Sequence, residues 1–374
     1  MARDRSYLDH NATSPLRPEA RAAMLEAMDL VGNPSSVHAE GRAAKAMLER
    51  ARRQVASLVG AKPEQVIFTS GGTEALGMAL AAHDGPIMTS AIEHDALRSP
   101  VAARPGSSAE APASDDGIVA LAAFEKVTAA SDAARPILLA LQAANNETGV
   151  EQPIKPLARH AAAASCASLT DAVQVAGKRP LDIHDIGVDH LALSAHKLGG
   201  PKGVGAFVSV AEIPSGSVFR GGGQERGLRA GTENLVGIAA FGAAAEAAQR
   251  DLDAFASLAA WRDELERAVM QQTPDAVIIG QSAPRLPNTS CIALPGIPAE
   301  TLVMALDLEG VAVSAGSACS SGKVTRSHVL EAMGLPDEIC RSAIRVSLGW
   351  NSSKKDVERF VTAWRAVTNR LMRR

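Results

Sequence analysis

The chain has 374 residues, more than one hydrophobic core usually serves, so one large and one smaller domain are expected. Hydrophobic residues make up 46% and charged residues 21%, with a net charge of −3, which argues against nucleic acid or an anionic membrane as the principal partner. Four scattered cysteines (Cys166, Cys291, Cys319, Cys340) form no C-x-x-C pair, so a disulfide framework or a zinc site is not expected. Met1–Ala2–Arg3–Asp4–Arg5 is charged with no apolar stretch behind it, so no signal peptide is read there. These features point to a soluble, cytoplasmic protein with reduced thiols.

In chain order, Tyr7 to Thr13 is a short opening segment that ends in turn residues. Pro18 to Val31 carries Ala20, Met24, Ala27, Met28 and Val31 at helical spacing. A polar break, Gly32 to His38, precedes a long helix with Ala44, Met47, Leu48, Ala51, Val55 and Leu58 on one face, stopped by Gly60. Val66–Ile67–Phe68–Thr69 is a strand, and Ser70–Gly71–Gly72–Thr73 turns it into a helix. Small residues at such a turn expose backbone N–H groups that can hold an anion, although a plain helix cap has the same composition.

Further strands are read at Pro86–Thr89, before Glu93–His94, and at Pro136–Leu141, before Asn145–Asn146. Another runs from Ala167 to Thr170 and ends at Asp171, with Gln174 just beyond. Arg104 to Gly117 reads as a surface loop. Leu191–Ala192–Leu193 feeds Ser194–Ala195–His196–Lys197 and a glycine-rich stretch, with a hairpin partner at Gly205 to Val210. A lysine walled in at a strand end is desolvated, which lowers its pKa and suits it to Schiff-base chemistry. The alternation implies an α/β domain with a mainly parallel sheet, and its polar residues recur past the strands' C-terminal ends, where such sheets bind ligands.

Arg220 to Asn234 is a glycine- and arginine-rich loop, followed by a long helical region to Gln271. Strands at Ala276–Ile279, Ser290–Leu294, Val311–Ser314 and Ala343–Leu348, with a final amphipathic helix, suggest a smaller α+β domain completed by the N-terminal segment. Cys319 lies in a run of small residues with Lys323 nearby, a setting open to a reactive thiol. The other three cysteines sit in apolar or helical surroundings and read as structural.

Gly72/Thr73, His94, Asn146, Asp171/Gln174 and Lys197 together match the needs of a pyridoxal phosphate site: an imine-forming lysine, a carboxylate for the ring nitrogen, an anion cradle, a flat group and an amide. The chain resembles the cysteine desulfurases of the NifS/IscS type, in the class V aminotransferase group of fold-type I pyridoxal-phosphate enzymes. The resemblance runs from about Tyr7 to about Leu348. It rests on Y-L-D-H-N-A-T at Tyr7, N-P-S-S-V-H at Asn33, F-T-S-G-G-T-E at Phe68, E-H at Glu93, N-N-E-T-G at Asn145 and D-A-V-Q at Asp171. S-A-H-K at Ser194, R-A-G-T-E-N at Arg229, S-A-G-S-A-C at Ser314 and I-R-V-S-L-G at Ile344 complete it.

The resemblance implies a large domain, 15–255, with a mainly parallel seven-stranded sheet, and a small α+β domain of 1–14 and 256–374 that carries the cysteine loop. It implies that Lys197 binds the cofactor as an imine and that Gly72, Thr73, Ser194 and His196 hold the phosphate, with Thr232 from the second subunit of a homodimer. Asp171 would pair with the pyridine nitrogen, Gln174 would touch the ring oxygen, and His94 would stack on the ring and move protons. Asn146, also counted among the cofactor contacts, would hold the substrate carboxylate with Arg345. Cys319 would take sulfur from L-cysteine as a persulfide, leaving L-alanine, and pass it to an acceptor protein. Iron–sulfur cluster assembly is the first destination considered, beside thiolated tRNA and cofactor synthesis. The alternatives are a selenocysteine lyase, another class V aminotransferase or a non-catalytic cofactor-binding homologue. A nucleotide-binding protein is excluded because no G-K-[ST] follows Gly71–Gly72–Thr73. The chain departs from the common pattern at Ala195, Ser314–Ala315 and Trp350, and it ends soon after its last helix.

Overall fold

The computed structural model describes residues 5–104, 108–129, 137–212, 220–316 and 326–372. The chain opens with the two-residue β1 (Ser6–Tyr7) and two helices, Pro18–Met28 and Ala39–Leu58. The first starts on a proline, which loses no helical hydrogen bond at that position. The second is capped by His38, whose side chain accepts from Gly41 N.

Seven strands then build the main sheet: β2 (Val66–Thr69), β3 (Ile87–Ser90), β4 (Ser108–Ala111), β5 (Leu138–Gln142), β6 (Ala167–Asp171), β7 (His190–Ser194) and β8 (Gly205–Ser209). Their spatial order is β2-β8-β7-β6-β5-β3-β4. The four pairings from β4 to β7 are parallel, and the two involving β8 are antiparallel. Two reversals restore direction, so the C-terminal end of β2 reaches the same sheet edge as those of β3, β5, β6 and β7. The central strands β5 and β7 are buried along nearly their whole length, as expected for a sheet covered on both faces.

One sequence expectation is corrected here. Ser108–Ala111, inside the stretch read as a surface loop, is the edge strand β4, in parallel register with β3 from Ile87↔Ser108 to Ser90↔Ala111. Backbone pairing alone makes this strand; its residues S-A-E-A carry none of the β-branched or aromatic side chains by which strands are recognised.

The alanine-rich helix Leu235–Arg250, capped by the Asn234 side chain on Gly237 N (3.1 Å), packs against Ala39–Leu58 and Pro18–Met28. Its small side chains allow close approach, and none of the described helices is long and apolar enough to cross a membrane. The long helical region read from about Leu235 to Gln271 consists of three helices, separated at Asp251 and Ser257.

The C-terminal half adds β9 (Val277–Ile279), β10 (Thr289–Ala293), β11 (Val311–Ala312), β12 (Ser314–Ala315) and β13 (Ala343–Ser347). Strands β12-β13-β10-β9 form an antiparallel sheet, while β11 pairs in parallel with β1. Val311–Ser314, expected as one strand, is therefore shared between two sheets. An apolar cluster joins Leu8 to Leu302, Val346, Phe360 and Trp364, the last two stacked with ring centroids 6.0 Å apart. The final helix, Lys354–Leu371, starts with a capping box between Ser353 and Asp356.

Candidate active site

A cavity of about 220 Å³ opens at the C-terminal edge of the main sheet. Gly72, Thr73, His94, Asn146, Asp171, Gln174, Ser194, His196 and Lys197 all line it. These positions span 126 residues of sequence and are gathered because each follows a strand that ends at this edge.

The helix Gly72–Ala81 starts at the cavity with Gly71 as its N-cap and no side chain capping it. Its first N–H groups and the hydroxyls of Thr73 and Ser194 give an anion-binding corner. The corner is sterically tight: a Cβ on Gly72 would lie 2.8 Å from Val173 Cγ2, and one on Gly205 would lie 2.5 Å from the Leu193 carbonyl oxygen. His196 holds Thr13 Oγ1 through Nδ1 at 3.2 Å, and burial pushes its pKa down to about 4, so it is a neutral ring.

Lys197 ends the short turn Ala195–Lys197 after β7. Its Nζ donates to the carbonyl oxygens of Asn11 (2.6 Å) and Ala12 (3.0 Å). Burial, and then the nearby Arg345 charge, lower its pKa to about 8, against the opposing pull of Asp171 and Asp9. Its amine therefore has a substantial free-base fraction near neutral pH.

Asp171 ends β6 and accepts Val173 N at 2.9 Å. Burial raises its pKa, while that hydrogen bond, His94 and Lys197 pull it back. A cationic ligand group at this carboxylate would find a ready counter-charge. His94 is exposed at the rim and caps the helix Asp95–Ala102, its Nδ1 accepting Ala96 N at 3.0 Å. In the neutral ring the proton then sits on Nε2. Its neighbour Glu93 is buried, with its carboxylate on Ser90 Oγ and Gln142 N, and burial pushes its pKa up to about 8.

Arg345, on β13, sits beside the cavity rather than among its lining residues. Its guanidinium donates to Asp9 Oδ1 (2.8 Å) and the Asn146 carbonyl (3.0 Å), and its buried Nε has no partner. Thr232 lies elsewhere, in a separate cavity of about 140 Å³ with Ser70, Glu225 and Arg229. Cys319 lies outside the described residues. Glu147 joins described chain on either side of 317–325: it accepts Ser327 Oγ at 2.6 Å, and Gly316 packs so closely on it that a Cβ would meet its Oε2 at 2.4 Å.

Two residues that sequence reasoning does not single out organise this site. Asn11 is fully buried; its Oδ1 accepts Lys178 Nζ (2.9 Å) and Asn288 Nδ2 (3.1 Å), while its Nδ2 donates to Thr289 Oγ1 (2.9 Å) and the Asn146 carbonyl (3.3 Å). Lys178 is 2% exposed, and its other hydrogen bond is to Gln174 Oε1 at 2.8 Å. The signal for Asn11 was its place in the Y-L-D-H-N-A-T stretch; nothing local marks Lys178 as buried.

Comparison with known proteins shows the family of the chain. The aminotransferase class-V family matches residues 6–360. A cysteine desulfurase of Cereibacter sphaeroides is 40% identical over 380 aligned residues, covering 98% of this chain and 97% of its own. The solved NifS-like protein of Rickettsia africae ESF-5 superimposes with a TM-score of 0.90 at 32% identity, over 98% of this chain and all of that one. A structure described as SspA in complex with cysteine gives 0.78 at 27% identity, over 92% and 98% of the two chains. The chain belongs to the aminotransferase class-V family and, within it, to the cysteine desulfurases.

Proposed function

We propose that this chain uses pyridoxal 5'-phosphate to convert L-cysteine to L-alanine, leaving the sulfur as a persulfide on Cys319 for transfer to an acceptor protein. The observation that carries this reading is the Lys197 amine, desolvated and held by two carbonyl oxygens in the cavity that also contains Asp171 and an uncapped helix N-terminus.

The donor set suits the cofactor. Gly72, Thr73, Ser194 and His196 would hold its phosphate, and Asp171 would face the ring nitrogen. Gln174 would reach the ring oxygen, Asn146 would lie beside the ring, and His94 would cover its face. When bound, the group supplies an electron sink for the substrate Cα.

The chain's own residues do the rest. Arg345 and Asn146 would take the substrate carboxylate; the unpartnered Arg345 Nε is a buried donor suited to an anion. Lys197 Nζ takes the Cα proton, a task that its lowered pKa favours near neutrality. His94 Nε2, at the rim, exchanges protons near the leaving sulfur. The Cys319 thiolate attacks the substrate sulfur: an S–S bond forms and the Cβ–S bond breaks. The bonding pair stays on carbon, which takes up a proton. Sulfur is thus oxidised and carbon reduced by two electrons, with no outside oxidant. The position of Thr232 outside this cavity supports its use in the site of a second copy in a homodimer. We infer a cytoplasmic enzyme that hands its sulfur to an acceptor, with iron–sulfur cluster assembly the destination to test first.

The test is L-cysteine turnover by the purified protein, reading alanine and sulfide with a reductant, beside Cys319→Ala. Wild type should make both products, and the variant should keep its visible imine band yet release no sulfide. A variant as active as wild type would overturn the persulfide step.

A further inference from the structure

Lys178 is a lysine buried among amides. Both of its hydrogen-bond acceptors, Asn11 Oδ1 and Gln174 Oε1, are neutral oxygens, and no carboxylate pairs with it among the described residues. Burying an amine without a counter-charge is costly, and a methionine of similar length would fill the space at less cost. The arrangement gives the lysine a task that methionine could not do. A side-chain amide has two ends of nearly equal shape, one accepting and one donating, and only its partners decide which way it lies. An amine with two N–H groups facing two amides is fully satisfied when each amide turns its oxygen end toward it.

The consequence falls on Lys197. With its oxygen held by Lys178, Gln174 turns its Nε2 to the Asn11 carbonyl, at 3.1 Å. That same carbonyl oxygen accepts Lys197 Nζ at 2.6 Å. The Gln174 amide and the Lys197 amine therefore share one acceptor, and Gln174 presents donors there rather than a second acceptor. We propose that Lys178 is a positioning residue for the Lys197 amine: by pinning Gln174 and Asn11 through their oxygens, it keeps the donor end of Gln174 beside Lys197. This rests on the reading that Lys197 is the reacting amine. Burial, with Lys197 and Arg345 nearby, drives the Lys178 amine toward its neutral form, which has two N–H groups for its two acceptors. The charged groups acting on Lys197 itself are Arg345 from β13, Asp171 from β6 and Asp9 from the N-terminal segment, and the substitutions below leave all three in place.

The test reads the titration of Lys197 without activity. Full-length protein freed of cofactor is labelled with acetic anhydride at graded pH, and the Lys197 peptide is quantified by mass spectrometry. In Lys178→Met the amide is released and can turn its oxygen toward Lys197, favouring the ammonium form. The Lys197 midpoint should rise by about one pH unit. In a Gln174→Met background the same Lys178→Met step should move it by less than about 0.3 unit, because the intermediary is gone. An unmoved midpoint in a Lys178→Met protein that melts cooperatively overturns the proposal, as does an equal shift with and without Gln174. Should Lys178→Met fail to fold, Lys178→Gln decides. Its amide can donate or accept, so Gln174 is no longer turned by an obligate donor, and the Lys197 midpoint should rise by about half a unit or more; no rise overturns the proposal. Reconstitution of the wild type with pyridoxal phosphate is read separately. Failure to form a visible imine band counts against the cofactor reading, and the labelling result still decides the role of Lys178.

Discussion

The amine of Lys197 and the main-chain carbonyl of Asn11 lie 2.6 Å apart across 186 residues of sequence. The contact ties the N-terminal segment to the end of β7, so the site is complete only when the segment around Asn11 and Ala12 lies over the sheet edge. Asn11 N also donates to Ser347 Oγ at 3.0 Å, and Ser347 N to the Leu8 carbonyl at 2.8 Å, so the C-terminal sheet anchors the same segment. A hydrogen-bonding carbonyl is a directional acceptor without net charge. It holds the lysine in place while favouring the ammonium form less than a carboxylate would.

Lys197→Met follows from this. The folded-state pKa of about 8 is below the ordinary lysine value, so between about pH 8 and 10.5 the unfolded chain binds a proton that the folded chain does not. Stability attributable to Lys197 therefore rises with pH through that window, and below it the buried ammonium is a burden. Without cofactor, Lys197→Met should be more stable than wild type at pH 7, by roughly 1–2 kcal/mol after the lost hydrogen bonds are counted. The advantage should have gone by about pH 10.5. Chemical denaturation at pH 7 and 10 checks the sign, and the variant should form no visible imine band.

Asp171→Asn separates electrostatics from architecture. Asparagine can still accept Val173 N through Oδ1, so the turn after β6 should survive and the melting temperature should change little. Its negative charge is lost, and with it the counter-charge for a protonated ring nitrogen. Turnover should fall by about 10²–10³, the cost typical of removing one well-placed electrostatic group. Steady-state alanine production beside a thermal melt checks both halves.

Most of the sheet was legible in the chain because its buried strands are short apolar runs, and the site was legible because each run ends in polar residues at one edge. Val66–Thr69 and Leu138–Gln142 show both signals. β4 was not legible, since Ser108–Ala111 owes its conformation to backbone pairing with β3 and not to its side chains. Nor was the Asn11–Lys178 network, because its partners are separated by 167 residues and only the folded chain reveals that the lysine is buried. Arg345 could be picked out for its chemistry, but its pairing with Asp9 arises from β13 meeting the N-terminal segment.

A buried ion pair anchors the glycine- and arginine-rich loop. Arg52 donates to Glu225 through Nη1 (2.6 Å) and Nη2 (2.8 Å), and Glu225 also accepts Phe68 N at 2.9 Å. Both side chains are buried, and Glu225 itself has φ of +45°. Glu225→Ala leaves the Phe68 N–H unpaired and Arg52 with only Glu49, at 3.3 Å, as its counter-charge, and should cost about 3 kcal/mol. The double variant Arg52→Met with Glu225→Ala should recover part of that loss. Urea midpoints for the two proteins test the difference.

Glu93 gives the chain an acid-side pH dependence of opposite sign to that of Lys197. Its carboxyl is fully buried, and its pKa rises to about 8 by desolvation, which outweighs the hydrogen bonds from Ser90 and Gln142. Between about pH 4.5 and 8 the folded chain therefore keeps a proton that the unfolded chain has released. Stability from this group is present below pH 4.5 and is lost as the pH rises toward 8. Glu93→Gln carries no titrating group and can still accept Gln142 N through its amide oxygen. The wild-type melting temperature should decline relative to that of Glu93→Gln between pH 5 and 8, by several degrees in total. Ser90 is the fixed partner of either side chain, so its loss in Ser90→Ala should make the wild-type decline steeper still, since the carboxylate would then lack its best donor. Melting curves of the three proteins at pH 5, 6.5 and 8 decide this, and parallel declines in wild type and Glu93→Gln would show that Glu93 does not titrate in that range.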